Sequence, residues 1–394
     1  MERNVITFKS FFRRNEKNIL LWMLAIIFST IEFWYSLLFL VLSAAIGFKH
    51  YGKENKWAIV LIGFVYAIFL FFARRNPGVV FTNALWYTVL PFLAFLTGRN
   101  MGTKVMDDKT YLYWLFILMG CLTLTNFYIT FIDVFKYGLI NPERNLHVLD
   151  PEDAAQTITS RAMDLAMALS SICSVFYMRT RYQRESRWGV VFSVLALLCI
   201  AHYVSRTGIV ILSLGLILGL VYQGRSSKTF LFLVLLVPLV YILMQTELFT
   251  LYAEREMDED ASFATSGGRT VRWLMGLQML LNSPGGYTYS DFYAHNYWLD
   301  FGRDGGLISA VLLLIFNIAI LIKAFSISLQ KSKMSSYIRC ITFTYVFICF
   351  VAAFSEPIHL GAPAFTWTYM ALCGFISTEP HKRICQDIYI WIKQ

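Results

Sequence analysis

Charge is what this chain has least of: Asp, Glu, Lys and Arg make up 15% of its 394 residues, where a soluble domain carries about 25%. That shortage disfavours a water-soluble enzyme, a secreted disulfide scaffold and a nucleic-acid binder together. Metal-site and redox signatures are missing too. The cysteines (Cys121, Cys173, Cys199, Cys340, Cys349, Cys373, Cys385) form no CxxC pair and have no histidine at zinc-like spacing, so they read as small hydrophobes packed between helices. No Gly-rich loop precedes a Lys-Ser/Thr pair, which leaves ATP-driven transport unsupported. Neither a metal site nor a cofactor is expected, and no internal repeat is evident.

What is present is apolar: 57% of residues are hydrophobic and 17% aromatic. At ~20 residues per crossing of a ~30 Å hydrocarbon layer, the chain has material for many crossings. Apolar runs fall at about 18–31, 34–48, 57–73, 79–97, 110–132, 161–178, 189–204, 207–222, 229–246, 306–322, 338–354 and 363–378. The basic start (Arg13, Arg14, Lys17) before the first run has the form of a signal peptide, but apolar character continues to Gly47 and recurs down the chain. It therefore reads as an uncleaved first membrane segment. Glu32 marks the tip of a hairpin between the first two runs.

Charge bias sets the orientation. With 18–48 crossing twice, the amino-terminal side collects 24 Lys+Arg and 8 Asp+Glu, and the opposite side 10 and 16. Positive charge marks the cytoplasmic face. The reading is an all-α, polytopic integral membrane protein with about 12 transmembrane helices and both termini cytoplasmic. Residues 1–394 form a single helical membrane domain with two long outer loops, 133–160 and 247–305. The second contains an acidic run from Glu254 to Asp260, a helix-like stretch from Thr270 to Leu281 and a clean stop at Asn282-Ser283-Pro284-Gly285-Gly286. A shorter segment containing His295 then leads through Gly305-Gly306 into the next span.

Ionisable residues near membrane spans each invite a functional question. Arg206 sits in a tight outward turn between two spans, and a snorkelling contact with headgroups is its plainer reading. Arg269 and Arg272 lie three apart at the start of the loop helix and share one face. With the helix N-terminus they suit a phosphate or pyrophosphate, or, more plainly, anionic lipid. Arg161, at the outer end of another span, is a further member of the same basic group. His295, followed by Asn296, is placed to take a proton from an attacking hydroxyl, and Asp291 one turn earlier to hold its far nitrogen. Taken alone, such a histidine is more often a surface residue. Glu356, beside Pro357, is a polar contact or a loop breaker. Arginines without a metal suit a reaction whose leaving group is a lipid-linked pyrophosphate.

Three ordered segments resemble the O-antigen ligase/polymerase family of bacterial envelope glycan enzymes. They are Ser205-Arg206-Thr207 opening a span; Gly268-Arg269, Trp273 and the stop at 282–286; and His295-Asn296 followed after nine residues by Gly306-Leu307-Ile308-Ser309. Ser309 departs from the family pattern at its last position. The resemblance implies metal-independent inverting transfer from an undecaprenyl-pyrophosphate-linked glycan, with His295 as general base and Arg206 and Arg269 clamping the pyrophosphate. The acceptor it implies is a second lipid-linked glycan for a polymerase or lipid A-core for a ligase. Some relatives transfer the glycan to protein. The compact second loop and the departure at Ser309 weigh toward a polymerase acting in the bacterial cytoplasmic membrane, with membrane lipids and a chain-length regulator as partners and no nucleic acid. The rival of another class is a transporter or flippase of lipid-linked glycan. Such proteins place ionisable groups at the bilayer midplane in paired halves, and no halves match here.

Overall fold

A computed structural model describes residues 8–29, 33–47, 56–139, 194, 196–200, 202–203, 206–222, 269–287, 292, 294–329, 336–355 and 363–379. Ten helices are described: α1 (Phe8–Ser29), α2 (Phe33–Gly47), α3 (Lys56–Ala73), α4 (Phe81–Thr103), α5 (Asp108–Tyr137), α6 (Arg206–Tyr222), α7 (Arg269–Asn282), α8 (Tyr297–Leu329), α9 (Ser336–Ser355) and α10 (Pro363–Ser377). Four stretches, Lys56–Ala73, Asp108–Tyr137, Tyr297–Leu329 and Tyr337–Ser355, are long and apolar enough to cross a membrane. Shorter apolar helices cover Tyr35–Gly47, Thr207–Gly219 and Ala364–Ser377. The chain is thus a helical membrane protein. Of the expected spans, 161–178 and 229–246 lie outside the described residues, as does Glu32 at the first hairpin's tip.

Large apolar side chains point outward along these helices; Val60, Leu124 and Phe135 are 68%, 68% and 77% exposed. In water such surface would be a liability, and in lipid it is the solvated face. Between the helices, association rests on close packing and on hydrogen bonds. The tightest pair is α4 with α10. A Cβ on Gly98 would overlap the Ala371 carbonyl, and one on Gly374 the Phe95 carbonyl, so hydrogen is what lets the two backbones touch. Polar ties cross the same interior: Arg99, fully buried, donates to Ser377 Oγ at 2.8 Å. Asn100 donates to Asn18 on α1 at 2.8 Å, and Thr342 on α9 to Tyr111 on α5 at 3.0 Å.

Several boundaries differ from the sequence reading, and the helices over 81–103, 108–137 and 297–329 run about five to seven residues past their expected ends. The first helix begins at Phe8, not near residue 18, and carries Arg13, Arg14 and Lys17 within its first turns, where long cationic side chains are good helix formers able to reach past the apolar layer. The His295 segment and the span after Gly306 are one helical run, α8, broken only by a kink at Gly306 (φ 84°). At Gly306 the backbone leaves helical geometry, so a short helix from Tyr297 meets the long span at an angle. Ser309 Oγ lies 2.8 Å from both the Gly305 and Gly306 carbonyls and shares its one hydrogen between them, turned back on its own helix.

That kink seats the outer loop on the bundle. Pro284 stands two residues past the end of α7, and its carbonyl accepts the Leu307 N–H at 2.9 Å. Tyr287 N–H donates to the Arg303 carbonyl at 3.0 Å. Asn76, just past α3, donates to the same Arg303 carbonyl at 3.1 Å and to that of Tyr287 at 3.3 Å. Under this junction, Phe69 of α3 and Phe301 of α8 lie with ring centroids 4.2 Å apart.

A candidate active site around His295

Asn296 caps the start of α8, its Oδ1 accepting the N–H groups of Trp298 and Leu299 at 3.2 Å each. Its Nδ2 donates to the Phe354 carbonyl at 3.0 Å, tying the helix start to the end of α9. One turn further in, the fully buried Asp300 carboxylate turns back on the loop. Its two oxygens accept the Ala294 N–H at 2.8 Å and the Asn296 N–H at 3.1 Å. These bonds bracket His295, which sits at φ 52°. A histidine in this left-handed region costs energy unless its surroundings over-determine it, and such strain gathers at functional sites. Asp300 supplies the constraint.

Helix α7 lies across this loop. Gly276 brings it within van der Waals reach of Ala294. Trp273 donates to the His295 carbonyl at 3.4 Å and meets the Phe354 ring edge-on at 4.6 Å. On the same helix, Arg272 Nη1 lies 2.8 Å from His295 Nε2. A guanidinium can only donate, so in this contact Nε2 is the accepting nitrogen. One turn earlier, Arg269 Nη1 donates to Thr207 Oγ1 at 3.3 Å, reaching the first turn of α6. Arg206 is the residue before Thr207 in the chain and opens that helix; its side chain is outside the described residues.

The structure therefore brings His295, Asn296, Arg269 and Arg272 together, with the backbone of Arg206 close by through Thr207. Arg161, Asp291 and Glu356 lie outside the described residues. Around His295 Nε2 the described partner is Arg272.

Three residues of the site were not singled out in the sequence. Asp300 has the signal of a helix-start asparagine followed four residues later by an acid. Arg303 and Asp304 form a forked pair, Nε to Oδ1 at 2.7 Å and Nη2 to Oδ2 at 3.2 Å, while Arg303 Nη1 donates to the Phe292 carbonyl at 3.2 Å. Both lie buried beneath the loop and hold it from below. Beside them, burial and the nearby Asp300 carboxylate raise the Tyr287 phenol above its usual range.

Chemically, the imidazole presents an accepting nitrogen beside the Arg272 guanidinium, and Arg269 lies one turn earlier on the same helix face. The N-terminal end of α7, with its positive dipole end, is at the same place. A proton acceptor and an anion receptor are thus side by side, on a loop fixed by buried carboxylates and backbone bonds.

A family model described as O-antigen ligase matches residues 191–314, the stretch holding α6, α7, His295 and the α8 kink. No curated protein matches the chain.

Proposed function

The family match at residues 191–314 supports the O-antigen ligase/polymerase family, and from that premise we propose that the protein is a glycosyltransferase that polymerises lipid-linked glycan. Its donor is an undecaprenyl-pyrophosphate-linked oligosaccharide, and its acceptor is the non-reducing end of a second lipid-linked repeat unit. The reaction takes place on the outer face of the bacterial cytoplasmic membrane, with both termini in the cytoplasm.

In this reading the acceptor hydroxyl replaces the Arg272 guanidinium at His295 Nε2. As its oxygen attacks the anomeric carbon, Nε2 takes the proton. The bond from the anomeric carbon to the pyrophosphate oxygen breaks on the opposite side, with inversion, and undecaprenyl pyrophosphate leaves. Arg269 and Arg272, with Arg206, neutralise charge developing on the leaving phosphate. The observation that carries the reading is the 2.8 Å contact between Arg272 and His295 Nε2 on a strained, carboxylate-held loop.

The description of the matched family favours a second reading, transfer of the finished glycan to lipid A-core. Deletion separates the two. A single repeat on the core indicates a lost polymerase, and polymer stranded on its lipid carrier a lost ligase. His295→Ala should abolish transfer while membrane insertion and abundance stay normal; normal chain formation by that variant overturns the base assignment.

A further inference from the structure

At the far end of α4 from the Asn76 junction, α1, α4 and α5 line an open cavity of about 460 Å³, within the ~300–1,000 Å³ range of ligand sites. Two cations line it, Arg14 from α1 and Lys104 from the turn after α4, together with Asn15, Phe11 and Met106. Among the described residues no carboxylate pairs with either cation. Among the described residues the Arg14 guanidinium reaches Met106 Sδ, at 3.8 Å. The nearby Asp107 is turned into the start of α5, where Oδ1 accepts the Thr110 N–H at 2.8 Å. Asn15 Nδ2 donates one hydrogen to the Phe11 carbonyl at 3.0 Å and has a second to offer. Burial pushes the Lys104 ammonium down to about 8, the sign of a cation held partly out of water.

We propose that this cavity binds the phosphate headgroup of an anionic phospholipid. Two observations favour a lipid over a dissolved anion. The cavity stands at the start of α5, a helix long and apolar enough to cross the membrane, so it lies at headgroup level. Its rim is interfacial in character: Phe8 and Phe12 are 51% and 39% exposed on the first turns of α1, among the exposed cations Lys9, Arg13 and Lys17. Aromatic rings beside cations are what the membrane–water boundary selects. The phosphate sits between Arg14 and Lys104, accepts from Asn15, and leaves its acyl chains on the lipid side. Occupancy there would hold α1 against the α4–α5 turn, at the end of the bundle away from His295.

The test uses the purified full-length protein in detergent, delipidated and then titrated with phosphatidylglycerol or phosphatidylcholine. Native mass spectrometry and thermal unfolding are the readouts. Wild-type protein should retain phosphatidylglycerol one-to-one and gain thermal stability from it, and phosphatidylcholine should do neither. Arg14→Gln/Lys104→Gln should weaken retention about 30-fold, the combined effect expected of two cations at an anionic surface. Arg13→Gln/Lys17→Gln removes the same charge from the rim outside the cavity and should weaken retention by a clearly smaller factor than the cavity pair does. Equal loss in both pairs overturns the site in favour of diffuse surface charge. Equal stabilisation by inorganic phosphate assigns the cavity to a free anion and overturns the lipid. Should the cavity variant fail to fold, absence of one-to-one phosphatidylglycerol on the wild type still refutes the proposal.

Discussion

Replacing Asp300 by Asn changes one oxygen to an NH2 group and little else in shape. The carboxylate accepts the N–H groups on both sides of His295, at 2.8 and 3.1 Å. The amide keeps one acceptor and sets two donors face to face at the other position. A buried N–H left without an acceptor costs about 1–3 kcal/mol, as much as the ~1–3 kcal/mol needed to hold a non-glycine residue at positive φ. The strained loop then loses its advantage over relaxed alternatives, and the population with Nε2 in place falls about 10- to 100-fold. Asp300 touches no substrate in the proposed reaction; it is a positioning residue, so kcat should fall by that factor while KM for the lipid-linked donor stays near wild type. Initial rates in proteoliposomes with a lipid-linked donor, normalised to protein by immunoblot, measure this directly. A variant with wild-type kcat at wild-type abundance would refute the idea that this carboxylate sets the histidine's geometry, and a rise in KM alone would move Asp300 into substrate binding.

Arg269→Lys should stay strongly impaired in the same assay, because a point charge lacks the paired donors of the guanidinium fork; full activity would reduce Arg269 to a lipid contact. Gly306→Ala places a Cβ 2.9 Å from the Pro284 carbonyl and 3.1 Å from Phe72, at φ 84°. It should cost several kcal/mol and show as lower abundance and earlier thermal unfolding in detergent, while unchanged melting would mean the kink relaxes freely. Accessible tags should place residue 259 outside the cell membrane and residue 185 inside, and the reverse result overturns the orientation.

The outline of this fold was legible because lipid imposes long apolar runs and a charge bias. The boundaries of α3, α9 and α10 fall within a residue or two of their hydropathy edges. The stop after α7 was equally plain, since Pro-Gly-Gly can do little else. What hydropathy hid was the helical lead-in to α8: residues 297–305 are polar enough to look like loop, yet Asn296 and Asp300 give them a capped start. The proximity of Arg269 and Arg272 to the histidine loop rested on motif order and helix spacing. The supports did not follow from either. Asn76 lies 227 residues from the Arg303 carbonyl it binds, and no local pattern announces a partner at that distance. Asp300 acts on backbone N–H groups, which every residue but proline carries, so its target leaves no mark in the sequence.

Helix α8 also fixes a height. From the kink at Gly306 the run continues to Leu329, about 1.5 Å per residue against a hydrocarbon layer of ~30 Å, so a rod of membrane length stands under the loop that carries the imidazole. In the proposed reaction, the sugar being transferred must meet it at that level while its prenyl tail remains dissolved below. The linker between tail and sugar then serves as a spacer of required length.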